Sequence, residues 1–265
     1  MKSSLPRATL SIMRILTFAF LMLSTGTALA MPVPDCAGEV EISRAKIVRV
    51  EKNGALILSD GRAVLLEGIR LASTDGASAI GDRALSTLRD LATAAPLTLA
   101  STPPKQDRYD RVRVQAFGNV WLQDELLRRG LARVEVSPDR SECAVDFYAA
   151  ERDARGAGRG LWALPAFAVR PATNLMPDTG HYVLVEGKVV NVGNADGRVF
   201  LDFAQDFRKG FSAIIQPEDR KAFREPRFAP AQLAGHKVRL RGIVQVLDGR
   251  AQIALTNPAQ VEILD

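Results

Sequence analysis

Between residues 106 and 117 the sequence runs Gln-Asp-Arg-Tyr-Asp-Arg-Val-Arg-Val-Gln-Ala-Phe. Arg108, Arg111 and Arg113 are interleaved there with Asp107, Tyr109 and Asp110. Guanidinium groups present fixed forks of N–H donors that suit phosphate, and an aromatic ring offers a face on which a base stacks. With Arg70 as a fourth cation, Arg108, Tyr109, Arg111 and Arg113 are therefore candidate binding residues on one face. The same types also fit a second arrangement, in which the arginines pair with Asp107, Asp110 and Glu67 and fix the loop. Both readings stay open on sequence alone.

The elements that must position these residues follow from periodicity. Val112, Val114 and Ala116 alternate with Arg113 and Gln115, the signature of a half-buried strand. Beyond a Gly118-Asn119 turn, residues 120–134 read as strand end, short helix stopped at Gly130, and strand. Upstream, strands at 45–51, 55–59 and 62–69 are separated by the Asn53-Gly54 and Asp60-Gly61 hairpin turns. Ile80, Ala84, Leu88 and Leu91 recur at helical spacing and predict a helix over 78–94, with Pro96 beyond it. A strand at 97–100 leads into the opening run. A helix capped by Ser141 and running to Arg155 is expected to bury Val145 and Tyr148, with Phe147 beside them. Gly156, Gly158 and Gly160 then end it, and Leu161-Trp162 folds back. Trp121 and Trp162 read as core residues. The fold class is mainly β: a five-stranded, OB-type β-barrel with appended helices.

Residues 165–180, with three prolines and no periodicity, read as a linker. From 181 a second all-β pattern begins, with strands at 182–192, 199–203, 211–215, 237–246, 250–255 and 261–264 and turns at Asp196-Gly197 and Asp248-Gly249. It suggests another small barrel. Its unusual stretch is 203–211, where three phenylalanines flank Arg208-Lys209 as a barrel plug or a stacking patch.

Lys2, Arg7 and Arg14 precede an apolar core over 15–23, and Ala28-Leu29-Ala30 supplies small residues at cleavage spacing. This is the pattern of a secretory signal peptide, with cleavage expected after Ala30. The domain division is thus 1–30 signal peptide, 31–164 first barrel, 165–180 linker and 181–265 second barrel. The net charge of +5 falls to +2 once those three cations go, a weak excess for a phosphate-binding face. Cys36 and Cys143 are the only cysteines, and in an oxidising compartment they are expected to form a disulfide. His181 and His236 lie far apart without companion ligands, which argues against zinc.

The element order over 45–163, the Asp107-Arg108-Tyr109-Asp110-Arg111 loop, residues 122–134 and the closing Arg159-Gly160-Leu161-Trp162 together resemble the staphylococcal nuclease (thermonuclease-like) family. The second half resembles the accessory OB-like domains of some bacterial relatives. The resemblance implies phosphodiester cleavage with calcium, two arginines and a glutamate. In that family the third strand runs Arg, apolar residues, Gly, apolar, Asp, Thr or Ala, Pro, Glu. Aligned on Gly68, this chain has Leu65 for the arginine, Arg70 for the metal aspartate and Ser73 for the glutamate. The other metal aspartate falls at or near Ala55. Arg111 alone is retained, as the one catalytic candidate.

A guanidinium where a calcium ligand should project repels the dication by several kcal/mol at an effective dielectric of ~20. The resulting expectation is an exported protein, periplasmic or secreted, with a degenerate site and no cofactor. It would act as a binding module for nucleic acid, another polyanion or an envelope protein. The alternative is an active nuclease with a rearranged calcium site built from Glu67, Asp75 and Asp82. Against it, Glu67 reads as an outward strand residue, Asp75 as a cap on the helix approach and Asp82 as a helix N-terminal charge.

Overall fold

The structure, a computed structural model, describes residues 32–265 except 77, 108–110, 207, 209 and 226–228. The expected signal peptide, Arg108, Tyr109 and Phe207 therefore lie outside the described residues. Among those described, no helix is long and apolar enough to cross a membrane.

In chain order the first half comprises β1 (Glu39–Ala45), β2 (Ile47–Val50), β3 (Leu56–Leu58), β4 (Ala63–Leu66), β5 (Ile69–Leu71), α1 (Ala79–Thr93), β6 (Leu97–Ser101), β7 (Val112–Phe117), α2 (Leu122–Arg128), β8 (Ala132–Val134) and α3 (Ala144–Gly156). The main sheet has the order β1-β6-β7-β4-β3-β2, while β5 pairs with β8. Only Lys46 separates β1 from β2, yet the two occupy opposite edges. They act as one bent strand whose halves close the sheet, and β4 with β7 is its parallel pair.

The second half comprises β9 (Arg170–Pro171), β10 (Tyr182–Lys188), β11 (Asn191–Ala195), β12 (Arg198–Asp202), β13 (Ser212–Ile215), β14 (Lys237–Leu247), β15 (Arg250–Ala254) and β16 (Val261–Ile263). Its order is β11-β12-β13-β15-β14-β10, extended by β9 beside β10, with β16 paired to β14. Again the first long strand is split across both edges, here β10 and β11, and again the third and fifth strands, β13 and β15, run parallel. Each half is thus the same barrel, drawn twice without a sequence repeat.

Local chemistry explains the elements. Ser78 caps α1 by accepting from the Gly81 N–H at 3.1 Å. Asp196-Gly197 and Asp248-Gly249 have φ of 51°, 75°, 49° and 73°, the left-handed pair that a two-residue hairpin turn requires. Each barrel fills with its own apolar cluster, one from Ala37 to Leu161 and the other from Ala172 to Val261. Trp121 lies in the first, stacked between Phe117 and Phe147. Cys36 and Cys143 form a disulfide with Cα atoms 5.2 Å apart, tying the segment before β1 to the start of α3.

Several expectations need correction. The strand β1 was not foreseen, although Val40 and Ile42 alternate with Glu39, Glu41 and Ser43; the alternation is short, and most of the strand, Val40 included, is exposed. Val145 is 73% exposed, since α3 turns Phe147 and Ala150 to the core instead. Cys143, not Ser141, sits at the α3 N-cap, where the disulfide rather than a hydroxyl holds the entry. The strand expected over 182–192 breaks between β10 and β11 as it turns the barrel corner. Within 165–180, β9 adds to β10 in parallel and Leu175 is buried in the second core. Phe203 packs on Phe211 with centroids 5.2 Å apart, and Phe211 is buried.

A polar seam joins the barrels. Arg241 of β14, fully buried, donates to Glu151 of α3 at 3.0 Å and to Glu262, and lies 4.3 Å over the Tyr148 ring. Burial alone would lower the Arg241 pKa, but the charges of Glu151 and its neighbours carry it upward. The Tyr182 hydroxyl donates to the Val134 carbonyl at 2.7 Å, Tyr148 donates to the Ala259 carbonyl, and Asn257 donates to the Ser137 carbonyl.

Candidate functional site: the cleft between β4 and β7

The parallel register sets Leu65 beside Arg113 and Leu66 beside Val114. The chain leaves β4 through Glu67 and Gly68 into β5, so the end of one strand and the foot of its neighbour face a common cleft. Gly68 has φ 85°, and a Cβ there would lie 2.6 Å from the Phe147 ring. No other residue fits at this corner. The cleft has a volume of about 1040 Å³ and is lined by Asn53, Leu65, Arg70, Arg111, Arg113 and, from the second barrel, Ile243 and Gln245 among others.

Of the predicted residues, the structure brings Arg70, Arg111 and Arg113 together on this cleft. Each meets an acid. Arg111 grips Asp107 through Nε at 2.8 Å and a second nitrogen at 2.6 Å, with its backbone N–H on the same carboxylate. Arg113, 8% exposed, holds Asp139 with two bonds of 2.9 Å and donates to the Pro104 and Gln106 carbonyls, while its Nε lies 3.5 Å from Glu67. Arg70 donates to Asp75 at 3.0 Å and to Glu135 at 3.2 Å, and its guanidinium sits 5.5 Å from the Tyr182 ring centre. Arg133, paired opposite Arg70 across β5 and β8, holds the other Asp75 oxygen.

Glu67 departs from the outward position expected for it. It is 6% exposed and accepts a 2.6 Å bond from the Ser137 hydroxyl. A β-bridge geometry would have sent it to solvent, but the chain has already left β4 and turned it inward. Burial raises its pKa above the ordinary carboxylate value, against the Ser137 bond and the charges of Arg140 and Arg113. Asp139 is displaced the other way, lowered chiefly by its hydrogen bonds from Arg113.

At the positions where the family resemblance places catalytic groups, Ala55 is buried, Leu65 is an apolar wall and Ser73 Oγ is buried without a hydrogen-bond partner. Asp75 and Glu67 are engaged as described, and Asp82 stands in the first turn of α1. Among the described residues no three His, Cys, Asp or Glu side chains come together as metal ligands. The donor set thus does not fit calcium, a cation that requires several convergent hard oxygens. His236 is occupied with Asp265 at 3.0 Å.

Downstream, Gly130 ends α2 with φ 63° and touches the backbone at Arg159-Gly160 so closely that a Cβ on it would lie 2.0 Å from a carbonyl oxygen. Leu161 N–H then donates to Gly130 O at 2.8 Å. That glycine-to-glycine clasp closes the stretch which began at β4. Residues 64–164 match the family described as staphylococcal nuclease homologue. No curated protein matches the chain. The domain matched to that nuclease homologue family spans β4 to the end of the clasp, so all three cleft arginines belong to it.

Sequence reasoning missed Glu135, Ser137, Asp139 and Tyr182. The Pro138-Asp139-Arg140 turn was a visible loop signal, but nothing in its spelling says that Asp139 reaches across 26 residues to Arg113.

Proposed function

We propose that the chain is an exported, non-catalytic relative of the nuclease homologues, built as a signal peptide over 1–30, a nuclease-like barrel over 31–164, a connection over 165–180 and an OB-like barrel over 181–265. The observation that carries the reading is Arg70. It stands at the position of the family's metal aspartate, held on Asp75 and Glu135 and covered by Tyr182. A dication would have to displace a clamped guanidinium, and Arg111, the one retained arginine, supplies no means of activating water. The disulfide supports export, since such bonds persist in oxidising compartments.

Among the described lining residues of the cleft, Glu67, Asp107, Glu135 and Asp139 outnumber Arg70, Arg111 and Arg113. That balance does not attract a phosphodiester chain, whose binding depends on uncompensated cations. It favours a protein surface as the cleft's ligand, met by the half-exposed Arg111 and Asp139.

Calcium tests the reading through stability. A ligand bound only to the folded state at a hundredfold excess over its Kd adds about 2.7 kcal/mol. Thermal unfolding with and without saturating calcium should superimpose. A rise in Tm given by calcium, not by magnesium, and lost in Asp107→Asn or Glu67→Gln would overturn the proposal.

A further inference from the structure

The second barrel carries a groove of different character. It is an open cavity of about 790 Å³ between β11, the ends of β12 and β13, and the two 3-10 turns over Asp219–Arg224 and Pro230–Leu233. Among the described residues its lining holds three cations, Arg220, Lys221 and Arg224, and no acid. All three side chains are exposed, and among the described residues none forms a salt bridge. Glu218, Asp219 and Glu225 flank them in sequence without lining the groove.

The contrast with the first cleft is chemical. There, every arginine is answered by a carboxylate within hydrogen-bond reach. Here, among the described residues, Arg220 donates only to the Gly197 carbonyl, at 3.4 Å, a bond that leaves its charge uncompensated. Opposite the cations, Asn191 and Asn194 offer amide groups, while Val192, Val199 and Ile215 form an apolar floor.

We infer that this groove is a binding site for a phosphodiester chain, and specifically for the backbone of single-stranded nucleic acid. Like charges gathered on one wall of a cavity cost stability unless an anion visits them, and three cations along one turn match successive phosphates rather than one compact anion. The site is recessed, so a strand can enter it where the flat headgroup plane of a membrane cannot. Among the described residues the one aromatic of the lining, Phe223, is 3% exposed and belongs to the core. Recognition by the three cations would run through phosphates.

This inference deepens the binding-module reading by naming a ligand and a place for it. The test uses the full mature chain with fluorescent oligothymidylate in a chelating buffer, where no calcium-dependent cleavage interferes. Three phosphate contacts on a single strand give a slope of log affinity against log salt of about −2, so a threefold rise in salt should weaken binding about tenfold. The combined Arg220→Gln, Lys221→Gln and Arg224→Gln variant should lose that slope. Asn194→Glu, which leaves the cations in place and adds an opposing carboxylate, should weaken binding as well. Arg128→Gln with Arg129→Gln, on the far barrel, should change nothing.

Unaltered affinity and slope in the triple variant would overturn the inference. So would a triple variant that loses binding to phosphatidylglycerol vesicles while the native chain ignores the oligonucleotide. A calcium-induced Tm shift would instead overturn the non-catalytic reading and leave the groove result standing.

Discussion

Replacing Arg113 by methionine separates a structural cation from a ligand-binding one. Arg113 is 8% exposed and faces Glu67 at 6%, with Asp139 at 47% on its other side. Removing the guanidinium returns Asp139 to water, which costs little, because exposed pairs contribute about 0–1 kcal/mol. Glu67 has no such escape. It stays behind β4 with only the Ser137 hydroxyl and the more distant Arg140 charge, and leaving a buried charge unpaired costs about 3–5 kcal/mol. Arg111→Ala breaks the pair with Asp107 in a side chain 46% exposed, so its cost should stay below about 1 kcal/mol. Urea unfolding followed by circular dichroism measures both. The combination of Arg113→Met with Glu67→Gln should recover most of the loss, because the orphaned charge is then gone. Equal costs for Arg113→Met and Arg111→Ala, or no recovery in the double variant, would refute the view that the cleft arginines are held by their own carboxylates.

Other outcomes follow from the same contacts. Native protein should resist alkylation at Cys36 and Cys143 until reduced, and reduction of a bridge spanning 107 residues should cost about 4–5 kcal/mol; two freely alkylated thiols in native material would contradict this. At the seam, Arg241→Met should destabilise by about 3–5 kcal/mol, and adding Glu151→Gln should restore part of that loss. Glu67 gives a pH signature: its folded pKa is raised by burial, so its contribution is complete below the unfolded value of about 4.3 and lost as pH rises through the folded one. Glu67→Gln should therefore gain on the native chain as pH increases across that window, and a difference independent of pH would contradict the burial account.

Much of the fold was legible because it rests on local signals. Asn53-Gly54, Asp196-Gly197 and Asp248-Gly249 spell hairpins whatever surrounds them, and Ile80, Ala84, Leu88 and Leu91 spell a helix. The strand β1 escaped because its alternation, Val40 and Ile42 among polar residues, is short and mostly exposed, and its place is set by pairing with β6. The cleft was half legible. Residue types placed Arg70, Arg111 and Arg113 near one another, and the substitutions at Ala55, Leu65, Arg70 and Ser73 were plain. The identity of each arginine's partner was not, because Asp139 and Glu135 come to the cleft from another part of the chain. The same non-local placement turned Glu67 inward and brought Tyr182 across Arg70.

The cationic groove was hidden for a related reason. Arg220, Lys221 and Arg224 sit among Glu218, Asp219 and Glu225, so the stretch is balanced when read along the sequence. The 3-10 turn over Asp219–Arg224 shares the groove with β11 and puts the cations, and not Glu218, Asp219 or Glu225, on the lining.

Calcium-dependent cleavage is the most direct measurement of the central claim. Mature protein incubated with single-stranded and duplex DNA in calcium should release no more acid-soluble nucleotide than Arg111→Ala or buffer alone. Robust release that requires calcium and disappears in Arg111→Ala would contradict the account, because the cleft would then assemble a working metal site despite Arg70.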